Sequence, residues 1–267
     1  QLHTYSLKEN QQAVLSQIAG KAREYRPDAI LICGDIFDRA VPSGEAYMVF
    51  DKFLQELSAI IPAIPVLIIA GNHDNAQRLD YASSFLEKHQ IYLSVSAPTQ
   101  KEEYLKKVVL HDAHGAVNFY LLPFLKPEYV RHLFADGVVK DYESAVREIL
   151  RREEIDYGKR NVLLSHQFYT NGGQAPERCE SEQLVISLGG LENVDASVVE
   201  KFDYAALGHI HGAQMVKFPH IRYCGTPLKY SVSEEYHRKS ITMVTLGDKS
   251  EQAVIETIPL TPLQDVR

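Results

Sequence analysis

Residues 66–75 read VLIIAGNHDN: four aliphatic residues and an alanine run straight into Gly71, Asn72, His73 and Asp74. An apolar run of this length suits a strand covered on both faces, as parallel strands are when helices pack against them. Polar side chains able to bind a metal are costly at the end of such a strand unless something there needs them. In open α/β sheets that place is the crevice beyond the carboxyl ends of the strands.

Working outward, the same form recurs three times. RPDAILICGD ends an apolar run in Cys33-Gly34-Asp35-Ile36-Phe37-Asp38, NVLLSHQF reaches Ser165-His166-Gln167, and FDYAALGHIHG reaches Gly208-His209-Ile210-His211. Between them lie helical patterns. Val14, Ile18, Ala22 and Tyr25 sit at helical spacing within residues 8–25, and Ser43 is placed to cap a helix through about Leu57 with Glu45 in its first turn. Residues 75–89 and 141–154 predict two more helices. VVLHDAHGAVNFYLLPFL predicts a hairpin turning at His114-Gly115, and the last third of the chain reads mostly as strands. No internal repeat interrupts the pattern, so the expectation is one α/β domain.

The totals narrow the function. The chain has 267 residues, 45% of them hydrophobic, with no apolar run long enough to span a membrane and no signal-like N-terminal segment. Three cysteines, Cys33, Cys179 and Cys224, show no CxxC spacing, which argues against a disulfide framework or a structural zinc cluster and for a cytoplasmic setting. The formal charge of −7 is unlike that of a protein holding nucleic acid by its own basic face. If it acts on phosphates, bound cations or a partner must supply positive charge.

Carboxylate, imidazole and amide donors without thiolate suit divalent ions of manganese or iron character. A pair of such ions about 3.5–4 Å apart can activate a water and stabilise both the attacking and leaving oxygens of a phosphate ester. A lone GD or HxH carries little weight; four tips of one form, each after a strand, point to a shared metal site. Asp38 and Asp74 have two readings: partners that orient imidazoles, or turn-formers bonding their own backbone. His89, His111, His114 and His132 have no comparable setting and read as surface or turn residues.

These motifs resemble the calcineurin-type metallophosphoesterases, whose pattern is DxH, GDxxD, GNHD/E, an isolated histidine, then GHxH. Within that superfamily, GDIFDRAVPS, AGNHDNAQRL, LSHQF, ALGHIHGAQ and CGTPLKYSVSE are similar to the bacterial SbcD-type nucleases. The resemblance implies a four-layer αββα sandwich with two divalent metal ions, most often manganese, with magnesium, iron or zinc as alternatives. Carried over, Asp35 bridges both ions, Asn72, His166 and His209 hold one, and His211 joins the other. His73 is not a ligand on this reading; it sits near the scissile phosphate and protonates or polarises it, as a histidine can near neutral pH.

The family's DxH motif has no counterpart, because only two residues precede His3. The resemblance thus implies a nuclease domain over residues 1–255 without its first strand, and the start of a truncated C-terminal cap domain over 256–267. It further implies double-strand exonuclease and single-strand or hairpin endonuclease activity on DNA with an SbcC-type ATPase, in repair, recombination and replication. A homodimer through residues 43–57 and 76–89 is also implied. Tyr47, Phe50 and Leu54 could line that contact or simply be core. A small-molecule phosphodiesterase, or a non-catalytic assembly module, are the competing readings.

Overall fold

The computed structural model describes residues 6–180, 182 and 192–266. In chain order the elements are α1 (Lys8–Tyr25), β1 (Ile30–Cys33), α2 (Gly44–Ser58), β2 (Val66–Ile69), α3 (Ala76–Leu79), α4 (Ser83–Glu87), β3 (Ile91–Ser94), β4 (Lys106–Asp112) and β5 (Gly115–Leu122). Then follow α5 (Pro127–Val130), α6 (Tyr142–Arg152), β6 (Arg160–Ser165), β7 (Phe168–Thr170), β8 (Asn193–Asp195), β9 (Tyr204–Leu207), β10 (Gln214–Val216), β11 (Phe218–Tyr223), β12 (Ser240–Thr245) and β13 (Val254–Pro259).

Period-two alternation sorts these strands into layers. In β2, Val66 and Ile68 face a core shared with α1 and α2, while Leu67 and Ile69 face the opposite way. In β5 and β6, Phe119, Leu121, Val162 and Leu164 meet Leu67 and Ile69, whereas Tyr120, Leu122 and Leu163 turn toward α5 and α6. One apolar core therefore lies between two sheets, and each sheet carries helices on its outer face. That is an αββα sandwich. Each fully buried aliphatic side chain contributes about 1.5–3 kcal/mol, so the inter-sheet core is a large share of what holds the layers together.

The smaller sheet has the order β1-β2-β3, all parallel. The larger runs β10-β11-β9-β6-β5-β4, with β5, β6, β9 and β11 parallel. The β12–β13 hairpin adds Val244 and Ile255 to the inter-sheet core and packs Ile241 and Leu260 near Val14 of α1. The boundary expected after residue 255 falls inside β13, which pairs with β12 over its whole length.

Local chemistry explains most element ends. The Ser43 side chain accepts the Ala46 N–H at the start of α2, and Asp141 with Ser144 forms a reciprocal capping box on α6. The helix expected over residues 75–89 is instead two short turns, because Ala82 takes a left-handed φ of 63° that an α ladder cannot pass through. The hairpin loop is Ala113-His114, with Gly115 already paired to Asp112. Tyr47 and Phe50 pack tilted and edge-on against Phe37 and Leu54 is buried, so this stripe belongs to the core.

Candidate metal centre

Both sheets point the carboxyl ends of their parallel strands to one edge. There β1, β2, β6 and β9 deliver Asp35, Asn72, His166 and His209 one to three residues beyond their last strand residues. The tips touch across the layers: Cys33 Sγ donates to the Ala206 carbonyl at 3.4 Å, and the Phe124 N–H donates to the Ala70 carbonyl at 2.9 Å.

Glycine makes this approach feasible. A Cβ at Gly71 would overlap the Asp35 carboxylate, and one at Gly208 would overlap the Cys33 carbonyl. Asp35 and His209 themselves hold positive φ values of 51° and 97°, a conformation that costs L residues energy and that gathers at functional sites.

Four side chains converge. His166 Nε2 lies 3.1 Å from Asn72 Oδ1 and 3.2 Å from Asp35 Oδ2, and His209 Nδ1 lies 3.0 Å from the same Asn72 oxygen. Ligand atoms of Asp35, His166 and His209 all fall within 4.8 Å of one another. An ion held at about 2.1 Å keeps neighbouring octahedral ligands about 3 Å apart, so these separations fit a first-row divalent ion. The donor set of carboxylate, amide oxygen and two imidazoles fits as well.

Protonation follows from the surroundings. His166 donates Nδ1–H to the Cys33 carbonyl at 2.6 Å, which assigns Nε2 to the cluster. Burial works against a charge on His166, but the Asp35 carboxylate and the Cys33 carbonyl raise its pKa overall. Burial pushes the Asp35 carboxyl up, yet the His166 ring and the His73 N–H outweigh it and hold the carboxyl well below the usual range. Burial pushes His209 down to about 3, with the His166 ring adding to the effect, so His209 is neutral.

The remaining predicted residues stand around this cluster. The His73 N–H donates to Asp35 Oδ1 at 3.0 Å, and its ring donates Nδ1–H to the Asp38 carbonyl at 3.0 Å, leaving Nε2 as the nitrogen with the lone pair. For Asp38, then, it is the backbone oxygen that orients an imidazole; its exposed carboxylate pairs with Arg39 at 2.7 Å. Among the described residues Asp74 bonds backbone N–H groups rather than an imidazole. Its carboxylate accepts the backbone N–H groups of Gly71, Ile36 and Phe37 at 2.9–3.1 Å, and so ties the loop after β2 to the loop after β1. Burial raises the Asp74 pKa against the pull of those donors. His211 is not part of the four-atom cluster: its Nδ1 lies 3.3 Å from Glu234, and its N–H donates to Glu182 at 2.7 Å. Phe124 and Phe168 pack edge-on to the His166 and His209 rings and wall the cluster on its apolar side.

The family model for calcineurin-like phosphoesterases matches residues 2–213. The chain belongs to that family. One curated relative, the SbcD component of the SbcCD nuclease from Staphylococcus epidermidis, is 31% identical over 268 residues, covering 99% of this chain and 67% of the relative. Membership makes the chain a metal-dependent phosphoesterase, and the family implies divalent ions at the site. Among the described residues no helix is long and apolar enough to cross a membrane.

Proposed function

We propose that the chain is the nuclease component of a DNA-end-processing complex in the cytoplasm, using manganese in a two-ion site to hydrolyse phosphodiester bonds. The single observation that carries the reading is the convergence of Asp35, Asn72, His166 and His209 at separations of 3.0–3.2 Å. Likeness to a protein named as a component of the SbcCD nuclease supports the choice of DNA as substrate and of an SbcC-type ATPase as partner. On this reading Asp35 serves both ions, Asn72, His166 and His209 hold one, and His211 serves the other. Bound divalent ions offset phosphate charge and acidify the attacking water.

The chain's own residues do the rest. His73 keeps its ring proton on Nδ1 through the Asp38 carbonyl, so Nε2 is the nitrogen able to exchange a proton with the departing oxygen. Its N–H steadies Asp35, and Asp74 holds the two loops that carry Asp35 and His73. The net charge of −7 agrees with DNA being gripped largely by ions and partner. A homodimer finds support in apolar side chains that α2 and the α3–α4 turn leave outside, with Met48 71% and Tyr81 84% exposed.

The test is manganese-dependent cleavage of hairpin-ended DNA and of a small phosphodiester, side by side. His73→Ala should keep manganese and lose about 10²–10⁴-fold in rate, while Asp35→Ala should lose the metal. Cleavage of the small ester alone would replace the nuclease with a small-molecule phosphodiesterase. Silence of the wild type on both would leave an assembly module. Equal metal loss in the two variants would remove His73 from its role. Sedimentation equilibrium of the same wild-type sample reads the dimer, which a monomer at micromolar concentration would rule out.

A further inference from the structure

Glu234 and Lys239 follow the last metal-type motif and contribute no atom to the four-residue cluster, yet they form a buried ion pair beside it. Their side chains are 0% and 6% exposed and lie 2.6 Å apart. A carboxylate with no access to water must have partners for both oxygens. Oε2 takes the Lys239 ammonium; Oε1 accepts the Tyr230 N–H at 3.0 Å and faces His211 Nδ1 at 3.3 Å. Lys239 also donates to Thr226 Oγ1 at 2.8 Å and to the His211 carbonyl at 3.0 Å, an oxygen that accepts the Thr226 N–H too, at 3.1 Å. One ion pair therefore grips His211 at two points, the ring through Glu234 and the backbone through Lys239.

We propose that Glu234, held in place by Lys239, is the positioning residue of His211: its carboxylate keeps the ring proton on Nδ1 and so dedicates Nε2 to a divalent cation. This rests on the reading of His211 as a metal ligand. The general reason is that a ligating imidazole gains basicity and a fixed orientation when its other nitrogen donates to a carboxylate. A rival use of the same atoms is a separate cation site, since Cys179, His211 and Glu234 offer ligand atoms within 4.8 Å of one another. Lys239 decides against it. Its ammonium already sits 2.6 Å from Glu234, where an added divalent ion would face a like charge at contact distance.

The test uses the whole chain without metal, with nitrogen-15 ring correlations of His211 recorded at about pH 8. Wild type should show the Nδ1–H form. Glu234→Leu combined with Lys239→Met leaves no unpaired buried charge; it should lose that form, and manganese affinity measured by calorimetry should fall about 10–100-fold. Should the double variant not fold, Glu234→Gln keeps the shape while removing the carboxylate charge, and a reduced share of the Nδ1–H form is expected there. Retention of Nδ1–H in the folded variant would overturn the proposal. His211→Ala separates the two claims: if it binds manganese as wild type does while the Glu234 variant still changes tautomer, the ligand reading has failed and the link between Glu234 and the ring has not.

Discussion

At the amino end of β6, Arg160 is buried and places its guanidinium on both oxygens of Asp112 at 2.5 and 2.8 Å and on the carbonyls of Gly115 and Gly247. Beside it Asn161, fully buried, satisfies both ends of its amide on Asn118, Asp156 and Lys159, and its N–H donates to Asp203, which Lys249 neutralises. The carboxyl ends of β6 and β9 bury polar groups as deeply. There Asn72 Oδ1 is shared by two imidazoles, Asp35 and His209 adopt positive φ, and Gln167 Oε1 has no partner among the described residues. The same strands thus end in a closed polar network on one side and a strained, mutually crowded one on the other. Unfavourable local geometry held by a well-packed scaffold marks where a protein has kept function at the expense of stability.

That contrast can be broken by substitution. Arg160→Leu should have the largest effect on stability, about 2–4 kcal/mol, because it leaves the Gly115 and Gly247 carbonyls without their donor and the part-exposed Asp112 carboxylate without its cation. Urea unfolding would read it, and the folded fraction should still bind manganese as wild type does. Loss of the metal in folded Arg160→Leu would mean that the two ends are not independent. Gly208→Ala should come next. Its Cβ must displace the Cys33 carbonyl, at about 1–3 kcal/mol, and should weaken metal binding as well, since His166 hangs from that same carbonyl. An alanine there that costs neither stability nor metal would show that the tips of β1 and β9 need not approach so closely.

How much of this the sequence discloses depends on the range of the interaction. Strands such as β2 and β6 are legible because burial on both faces demands an unbroken apolar run, and the tips are legible because Gly-Asp, Gly-Asn-His and Gly-His-x-His stand out after such runs. Ser43 and Asp141 announce helix starts through local hydrogen bonds. Asp74 is different: from the sequence it is a turn residue or a partner of a histidine, and only the packing of the β1 loop on the β2 loop gives it the N–H groups of Ile36 and Phe37. Glu234 closes the stretch CGTPLKYSVSE, but nothing in that stretch gives it a role, since a buried glutamate looks like any other until Lys239 and His211 are brought to it. Likewise nothing in residues 75–89 announces the left-handed turn at Ala82.

A smaller effect sharpens the comparison along the pH axis. Hydrogen bonds from Arg160 hold the Asp112 carboxyl down at about 2, from 3.8. A carboxyl whose folded pKa is depressed adds stability that is complete above its unfolded pKa of about 3.9 and is lost as pH falls toward 2. The full shift would correspond to about 2.4 kcal/mol; with a quarter of the Asp112 side chain exposed, screening reduces this to about 1–2 kcal/mol. Asp112→Asn removes the titrating group while keeping its shape. The unfolding free energies of wild type and variant should therefore differ by that amount near neutral pH and converge as pH approaches 2. Equal stabilities across that range would mean that Arg160 binds asparagine and aspartate alike, and that the amino-end network is held by its carbonyls rather than by its charge.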